Sequence, residues 1–215
     1  MGTIFVVAIL IFSVIVHEIS HGYAALLLGD LTAKDAGRLT LNPIKHIDLF
    51  GSILFPLLMS FAHLPVVGWA KPVPYNPLNL YKDYKYGPLK VALAGPFSNL
   101  CLAGVFIIAA RLAIGTLPAL TLGFFGVVAF INISLALFNL VPIPPLDGST
   151  ILTFILPRRY ALMLEGMGMG GIILVLVFVY FLSGYLAVAT EYLFNLTAGY
   201  EVASLTYNAL NVLFQ

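Results

Sequence analysis

Two imidazoles and a carboxylate stand in an otherwise apolar run, in the stretch Val16-His17-Glu18-Ile19-Ser20-His21-Gly22. An α-helix turns about 100° per residue, so His17 and His21 lie about 40° apart and one turn above each other, both facing the same point. That is the geometry of two ligands to one metal ion. Glu18 can reach a water on such a metal without itself being a ligand, so His-Glu-x-x-His points to zinc hydrolase chemistry with Glu18 as general base. Motifs this short also recur by accident, and here the surroundings decide. From Thr3 to Leu28 the only ionisable side chains are His17, Glu18, His21 and Tyr23. Placing an acid and two imidazoles in lipid is costly unless they are paired or coordinated, so such residues inside a span are functional by default.

The elements that must position these groups are membrane helices. The chain has 215 residues, 61% hydrophobic and 9% charged, with a mean hydropathy of +1.04, whereas soluble domains carry about 25% charged residues. The expected fold is an all-α polytopic membrane protein with about four transmembrane helices, a re-entrant segment and a small membrane-associated β-element. The apolar runs fall at 3–28, 89–114, 120–141 and 168–189, with a further one at 50–67 broken by Pro56 and Pro65. The first has no basic region ahead of it and no small-residue cleavage site after it, and it reads as a retained span. A net charge of +1 offers no nucleic-acid footprint, and the single cysteine, Cys101, reads as a small packing residue.

Between and beyond these runs lie the other candidates. His46 sits among charges and His63 beside a proline, and the ordinary reading of both is interfacial or solvated rather than metal-bound. Alternation over Gly37 to Pro43 suggests a short strand. Gly68-Trp-Ala-Lys-Pro-Val-Pro-Tyr-Asn-Pro77 reads as a proline-stiffened edge strand whose remaining amides, those of Lys71, Val73, Tyr75 and Asn76, can pair with an extended peptide. Asn99, inside an apolar run, either bonds between helices or serves the site. If the broken run returns to its own side, nine of the ten Lys and Arg share one face and only Arg111 falls opposite. The positive-inside rule then puts that face in the cytoplasm and the N-terminus outside. Asp147 comes to the depth of His21 on this topology, and its neighbouring prolines turn the chain there; Asp-Gly after a helix is also an ordinary turn, so both readings stand.

Four ordered motifs now carry a resemblance: His17-Glu18-x-x-His21, the 68–77 segment, Ala94-Gly-Pro-x-x-Asn99, and Asn139-x-x-Pro142-x-Pro144-Pro-Leu-Asp147-Gly148. Together they resemble the site-2 protease family of intramembrane zinc metalloproteases, in its short prokaryotic branch without a PDZ or CBS domain. The resemblance implies one Zn2+ held by His17, His21 and Asp147, Glu18 as base, and Asn139 steadying the scissile peptide or its oxyanion. It also implies a transmembrane protein substrate met by the 68–77 element, with Asn99 near it, in a prokaryotic cell membrane. The match places an intramembrane metalloprotease core at 1–160 and a C-terminal helix and interfacial tail at 161–209. Residues 210–215 resemble a picornaviral-protease cleavage sequence with one mismatch and are set aside. The alternative is a membrane metal-binding or transport protein using the same His/Asp cluster. Oligomeric state is not legible.

Overall fold

A computed structural model describes residues 2–62 and 68–214; His63 and the rest of 63–67 lie outside the described residues. Eight helices follow in chain order: α1 Gly2–Leu28, α2 Thr32–Asp35, α3 Phe55–Phe61, α4 Gly87–Leu112, α5 Ala119–Asn139, α6 Asp147–Ile155, α7 Arg158–Glu165 and α8 Gly171–Phe214. In four of them the stretches Ile4–Leu28, Gly87–Leu112, Ala119–Asn139 and Gly171–Leu213 are long and apolar enough to cross a membrane. The shortest, 21 residues, extends about 32 Å against a hydrocarbon core of about 30 Å. Their outward faces carry exposed Ile4, Leu27, Val105, Ile108 and Phe181, an apolar belt that water would not tolerate and lipid would.

α1 packs along α4, α4 along α5 and α5 along α8. Small residues bring these helices close: Ala103 and Ala110 of α4, Ala129 of α5, Ala198 and Ala203 of α8 enclose Ile107, Ile133, Val202 and the fully buried Phe194. The Phe194 ring meets Phe130 edge to face at 5.4 Å. α8 breaks at Gly199, whose φ of 77° and ψ of 164° are not helical. Arg111 occupies the space a side chain there would need, and its Nε donates to the carbonyl of Ala198 at 3.0 Å. The last span, expected to end near Ala189, therefore continues to Ala198. Beyond the break, Val202, Ala203, Thr206 and Ala209 form a buried face that enters the notches left by Gly123 and Gly126 of α5, and Leu213 lies on Gly2. Tyr200, Glu201 and Asn208 stay exposed on the other side.

Two expectations are corrected. Among the described residues there is no β-strand: neither 37–43 nor 68–77 pairs in a ladder. Asn42 instead accepts from the amide of Ile44 and opens a tight turn, Pro43–His46. The amides of the extended segment bond to different neighbours in turn: Trp69 N–H to Gly51 O at 3.1 Å, Lys71 N–H to His46 O at 2.8 Å, Val73 N–H to Glu18 Oε2 at 2.9 Å and Asn76 N–H to Asp30 Oδ2 at 2.7 Å. Pro72 and Pro74 bring no donors, so no regular ladder can run along it. His46 is buried at 3% exposure, not solvated, with its ring 2.8 Å from Thr40 O. Among the described residues the broken apolar run is a wide turn, Leu49–Leu54, continued by α3; these two pieces extend about 20 Å, less than the hydrocarbon core of about 30 Å.

Candidate metal centre

His17 and His21 project from one face of α1, ring centroids 4.6 Å apart and planes at 86°. Opposite them α4 carries Gly95, where a Cβ would stand 2.6 Å from His17 Nε2, 2.5 Å from His17 Cε1 and in contact with His21 Nε2. Only glycine leaves room for both rings. The third group arrives from the turn after α5. Three prolines among residues 142–145 prevent the helix from continuing, and Asp147 opens α6. Gly148 lets that opening turn close on the end of α5, since a Cβ there would strike the carbonyls of Leu140 and Val141. Asp-Gly is thus a turn, and the turn delivers the carboxylate. Asp147 Oδ2 lies 3.1 Å from His17 Nε2 and 3.4 Å from His21 Nε2, and the two Nε2 atoms are 3.0 Å apart.

The hydrogen bonds behind the rings determine what this triangle is. His17 Nδ1 faces Asn99 Oδ1 at 2.7 Å, and His21 Nδ1 faces the carbonyl of Val91 at 2.7 Å. A carbonyl only accepts, so each ring carries a proton on Nδ1, and in the neutral ring this leaves a bare Nε2 lone pair turned inward. Three acceptors then converge with no proton between them, and Asp147 Oδ2 is buried without a hydrogen-bond donor. Bare lone pairs at such range repel unless a cation joins them. Tetrahedral zinc ligands at about 2.0–2.1 Å stand about 3.3 Å from one another, close to all three observed separations. His17, His21 and Asp147 are the group of described residues able to hold a metal ion, and their donor set suits zinc.

Glu18 does not join the triangle. Its carboxylate accepts from the Val73 amide, 55 residues away, which ties the extended segment across α1, with the Val73 side chain buried over Gly22. The amides expected to be free for a peptide are engaged at Lys71, Val73 and also Asn76, whose N–H donates to Asp30 Oδ2 at 2.7 Å. Tyr75 is half-buried. It lines, with Pro77, Pro145, Ser149, Thr150 and Thr153, a cleft of about 920 Å³ beside the Asp147 turn. Asn99, expected near substrate, is 0% exposed; its Oδ1 meets His17 and its Nδ2 donates to Asn132 Oδ1 at 2.8 Å, so it backs the His17 ring instead. Asn139 ends α5, half-buried, its Nδ2 donating to Leu135 O at 2.9 Å.

Residues not singled out from the sequence matter here too. Asp30 is fully buried just past α1 and accepts from Thr32 Oγ1, the amides of Thr32 and Asn76, and Asn79 Nδ2. Burial pushes its carboxyl up, but those donors outweigh it and hold the group below its ordinary value. Ser13 and Asn132, each 0% exposed, lie behind Asn99. A lone amide in the apolar run Phe130-Ile-Asn-Ile was the available signal for Asn132.

Comparison with known proteins bears on this geometry. The profile described as Peptidase family M50 matches residues 112–183. Three relatives are each described as "Putative zinc metalloprotease". YwhC of Bacillus subtilis (strain 168) is 41% identical over 189 residues, covering 84% of this chain and 83% of its own. Rip2 of Mycobacterium tuberculosis (strain ATCC 25618 / H37Rv) is 30% identical over 145 residues, covering 67% of this chain and 54% of its own, so the chain spans about half of that relative. MJ0611 of Methanocaldococcus jannaschii is 45% identical over 78 residues, covering 34% of this chain and 38% of its own. No solved structure matches.

Proposed function

Since the chain belongs to peptidase family M50, the site-2 protease family, and is by that membership a zinc metallopeptidase, we propose that it hydrolyses peptide bonds in or near the transmembrane segments of membrane-protein substrates. One observation carries this reading: bare Nε2 atoms of His17 and His21 and the carboxylate of Asp147 converge within a helix long enough to span a bilayer and its neighbours. Those three residues would hold the zinc. When bound, the ion supplies Lewis acidity toward a peptide carbonyl and lowers the pKa of a water to about 7.

The chain's own groups do the rest. Glu18 takes the proton of the attacking water and passes it to the departing amine nitrogen, and the Val73 N–H on Oε2 holds the carboxylate in place and leaves Oε1 to accept. Asn139 keeps one N–H beyond its bond to Leu135 and serves to steady the scissile peptide or its oxyanion. A transmembrane helix hides its carbonyls in its own hydrogen bonds, so the substrate unwinds before attack. The 68–77 segment then holds it extended, not through the amides of Lys71, Val73 and Asn76, which are spent within the chain, but through its outward carbonyls, with Tyr75 beside the cleft. Residues 69, 71 and 73 spend their amides inward, which turns the carbonyls of Ala70, Pro72 and Pro74 outward to receive substrate amides. The cleft beside Asp147 supplies water from the cytoplasmic face, where nine of ten Lys and Arg gather in this topology.

Glu18→Gln tests the assignment. The purified variant should fold and keep its zinc while cleavage of a helical reporter falls by at least about 100-fold, the scale of a lost general base. Near wild-type cleavage by that variant would remove Glu18 from the reaction.

A further inference from the structure

Behind His17 runs a line of buried amides that crosses three helices. Asn132 of α5 donates from Nδ2 to the carbonyl of Val128 at 2.8 Å and to Ser13 Oγ at 2.9 Å. Its Oδ1 accepts from Asn99 Nδ2 of α4 at 2.8 Å, and Asn99 Nδ2 also approaches the Ser13 carbonyl at 3.4 Å. Asn99 Oδ1 then accepts from His17 Nδ1 at 2.7 Å. Ser13, Asn99 and Asn132 all have 0% exposure, so no water competes for these bonds. Each amide can in principle be turned end for end, and its neighbours decide which way it faces. The backbone carbonyl of Val128 can only accept, so Asn132 must present Nδ2 to it and Oδ1 to Asn99. Asn99 must then present Oδ1 to His17. The direction set at Val128 passes through both amides, puts the proton of His17 on Nδ1 and leaves Nε2 bare toward Asp147.

We propose that Asn132 is a positioning residue for His17: acting through Asn99, it fixes the tautomer and ring orientation in which His17 can bind a metal. This rests on the reading of His17, His21 and Asp147 as the metal site. Apart from Asn132, among the described residues only the Ser13 carbonyl bears on that choice, and at 3.4 Å it makes a longer and weaker contact with Asn99 Nδ2 than Asn132 Oδ1 does at 2.8 Å; an Asn99 free to turn would offer His17 a donor as readily as an acceptor. Partners of this kind behind a metal-bound histidine change metal affinity by about 10- to 100-fold when removed.

The experiment is a double-mutant cycle read by zinc affinity of the detergent-purified full chain, in competition with a chromophoric chelator, and by the visible spectrum of the Co2+ form. Asn132→Leu keeps the volume and removes the anchor; affinity should fall by about 10- to 100-fold and the Co2+ bands should shift. Asn99→Asp alone should also weaken binding, because a carboxylate oxygen then faces Asn132 Oδ1. Combined, they should recover to within about 3-fold of wild type, since a carboxylate has only acceptors and needs no orientation. A role in packing alone would not be rescued this way. A wild-type affinity and spectrum in Asn132→Leu, or a double variant as weak as the single ones, would overturn the proposal. Should a variant fail to fold, nitrogen-15 shifts of His17 in the metal-free wild-type protein decide: Nδ1–H is expected, and Nε2–H refutes it. His17→Ala separates the two levels. If it keeps full zinc, the metal site itself is wrong; if it loses zinc while Asn132→Leu does not, only the positioning role fails.

Discussion

Gly95→Ala sets two effects of opposite sign against each other. In a helix interior alanine is favoured over glycine by about 1 kcal/mol, so α4 taken alone should gain stability. At the site the new methyl would stand 2.6 Å from His17 Nε2 and 2.5 Å from its Cε1, where about 3.4 Å is ordinary contact. About 0.9 Å must be found somewhere, several times the tolerance of about 0.2 Å on a metal–ligand distance. The rings cannot yield it cheaply. His17 is tied to Asn99, and His21 to the carbonyl of Val91, one turn before Gly95 on the same helix, so moving α4 outward stretches the very bonds that orient both ligands. Zinc affinity should therefore drop by at least about 100-fold, and because the same rings must shift without metal, the metal-free protein should also melt below wild type. Gly104→Ala is the control: it lies on the same helix with open space around its Cβ position, and should show the gain in stability with zinc unchanged. The assay is chelator competition with a thermal melt of the metal-free form. Stoichiometric, wild-type zinc affinity in Gly95→Ala would refute the geometry assigned to the site.

Asp147→Ala should lower zinc occupancy by metal analysis, whereas Asp48→Ala and Glu165→Ala, both outside the triangle, should leave it full. Val73→Pro removes the amide that anchors Glu18, a charge-assisted bond contributing about 1.5–3 kcal/mol, so reporter cleavage should fall by about 10- to 150-fold with zinc intact. Val73→Ala keeps that amide and most of the activity; equal activity in the two would deny the anchor any role. Asp30 has its carboxyl held low in the folded state, so its contribution is present above the unfolded value of about 3.9 and is lost as pH falls through the still lower folded value. Melting temperature against pH should steepen in that acid range in wild type, and Asp30→Asn should be less stable at neutral pH with a flatter acid limb.

The residues that could be read from the chain alone are those whose chemistry is at odds with their surroundings. His17, Glu18 and His21 stand out in an apolar run and their mutual geometry follows from helical periodicity, whereas Asp147 by its own residues is equally an ordinary Asp-Gly turn and gains a ligand role only through the resemblance. The four long helices follow from hydropathy in the same way. The rest depends on distances between elements. The room for both imidazoles at Gly95 exists only because α4 meets α1 at that residue, and Asn99 could be placed between helices but not assigned to His17 until the register of α1 against α4 was known. The 68–77 segment shows the limit of pattern reasoning: proline content indicates an extended backbone, but which of its amides remain available depends on Gly51, His46, Glu18 and Asp30, residues from four other parts of the chain. Gly199 likewise gives no sign in sequence that it ends one helix and begins another, because Arg111 supplies the partner from across the bundle.

The three inward-facing donor atoms belong to the first long helix and to the turn after the third, so roughly 125 residues separate His21 from Asp147 in order of synthesis. At about 5–20 residues per second, the two imidazoles leave the ribosome about 6 to 25 s before the carboxylate exists. During that interval α4, and with it the Val91 carbonyl and Asn99, comes into being first, so the rings are aimed before their third companion arrives. A metal centre that needs all three groups would for this reason be completed only after the third long helix has been made.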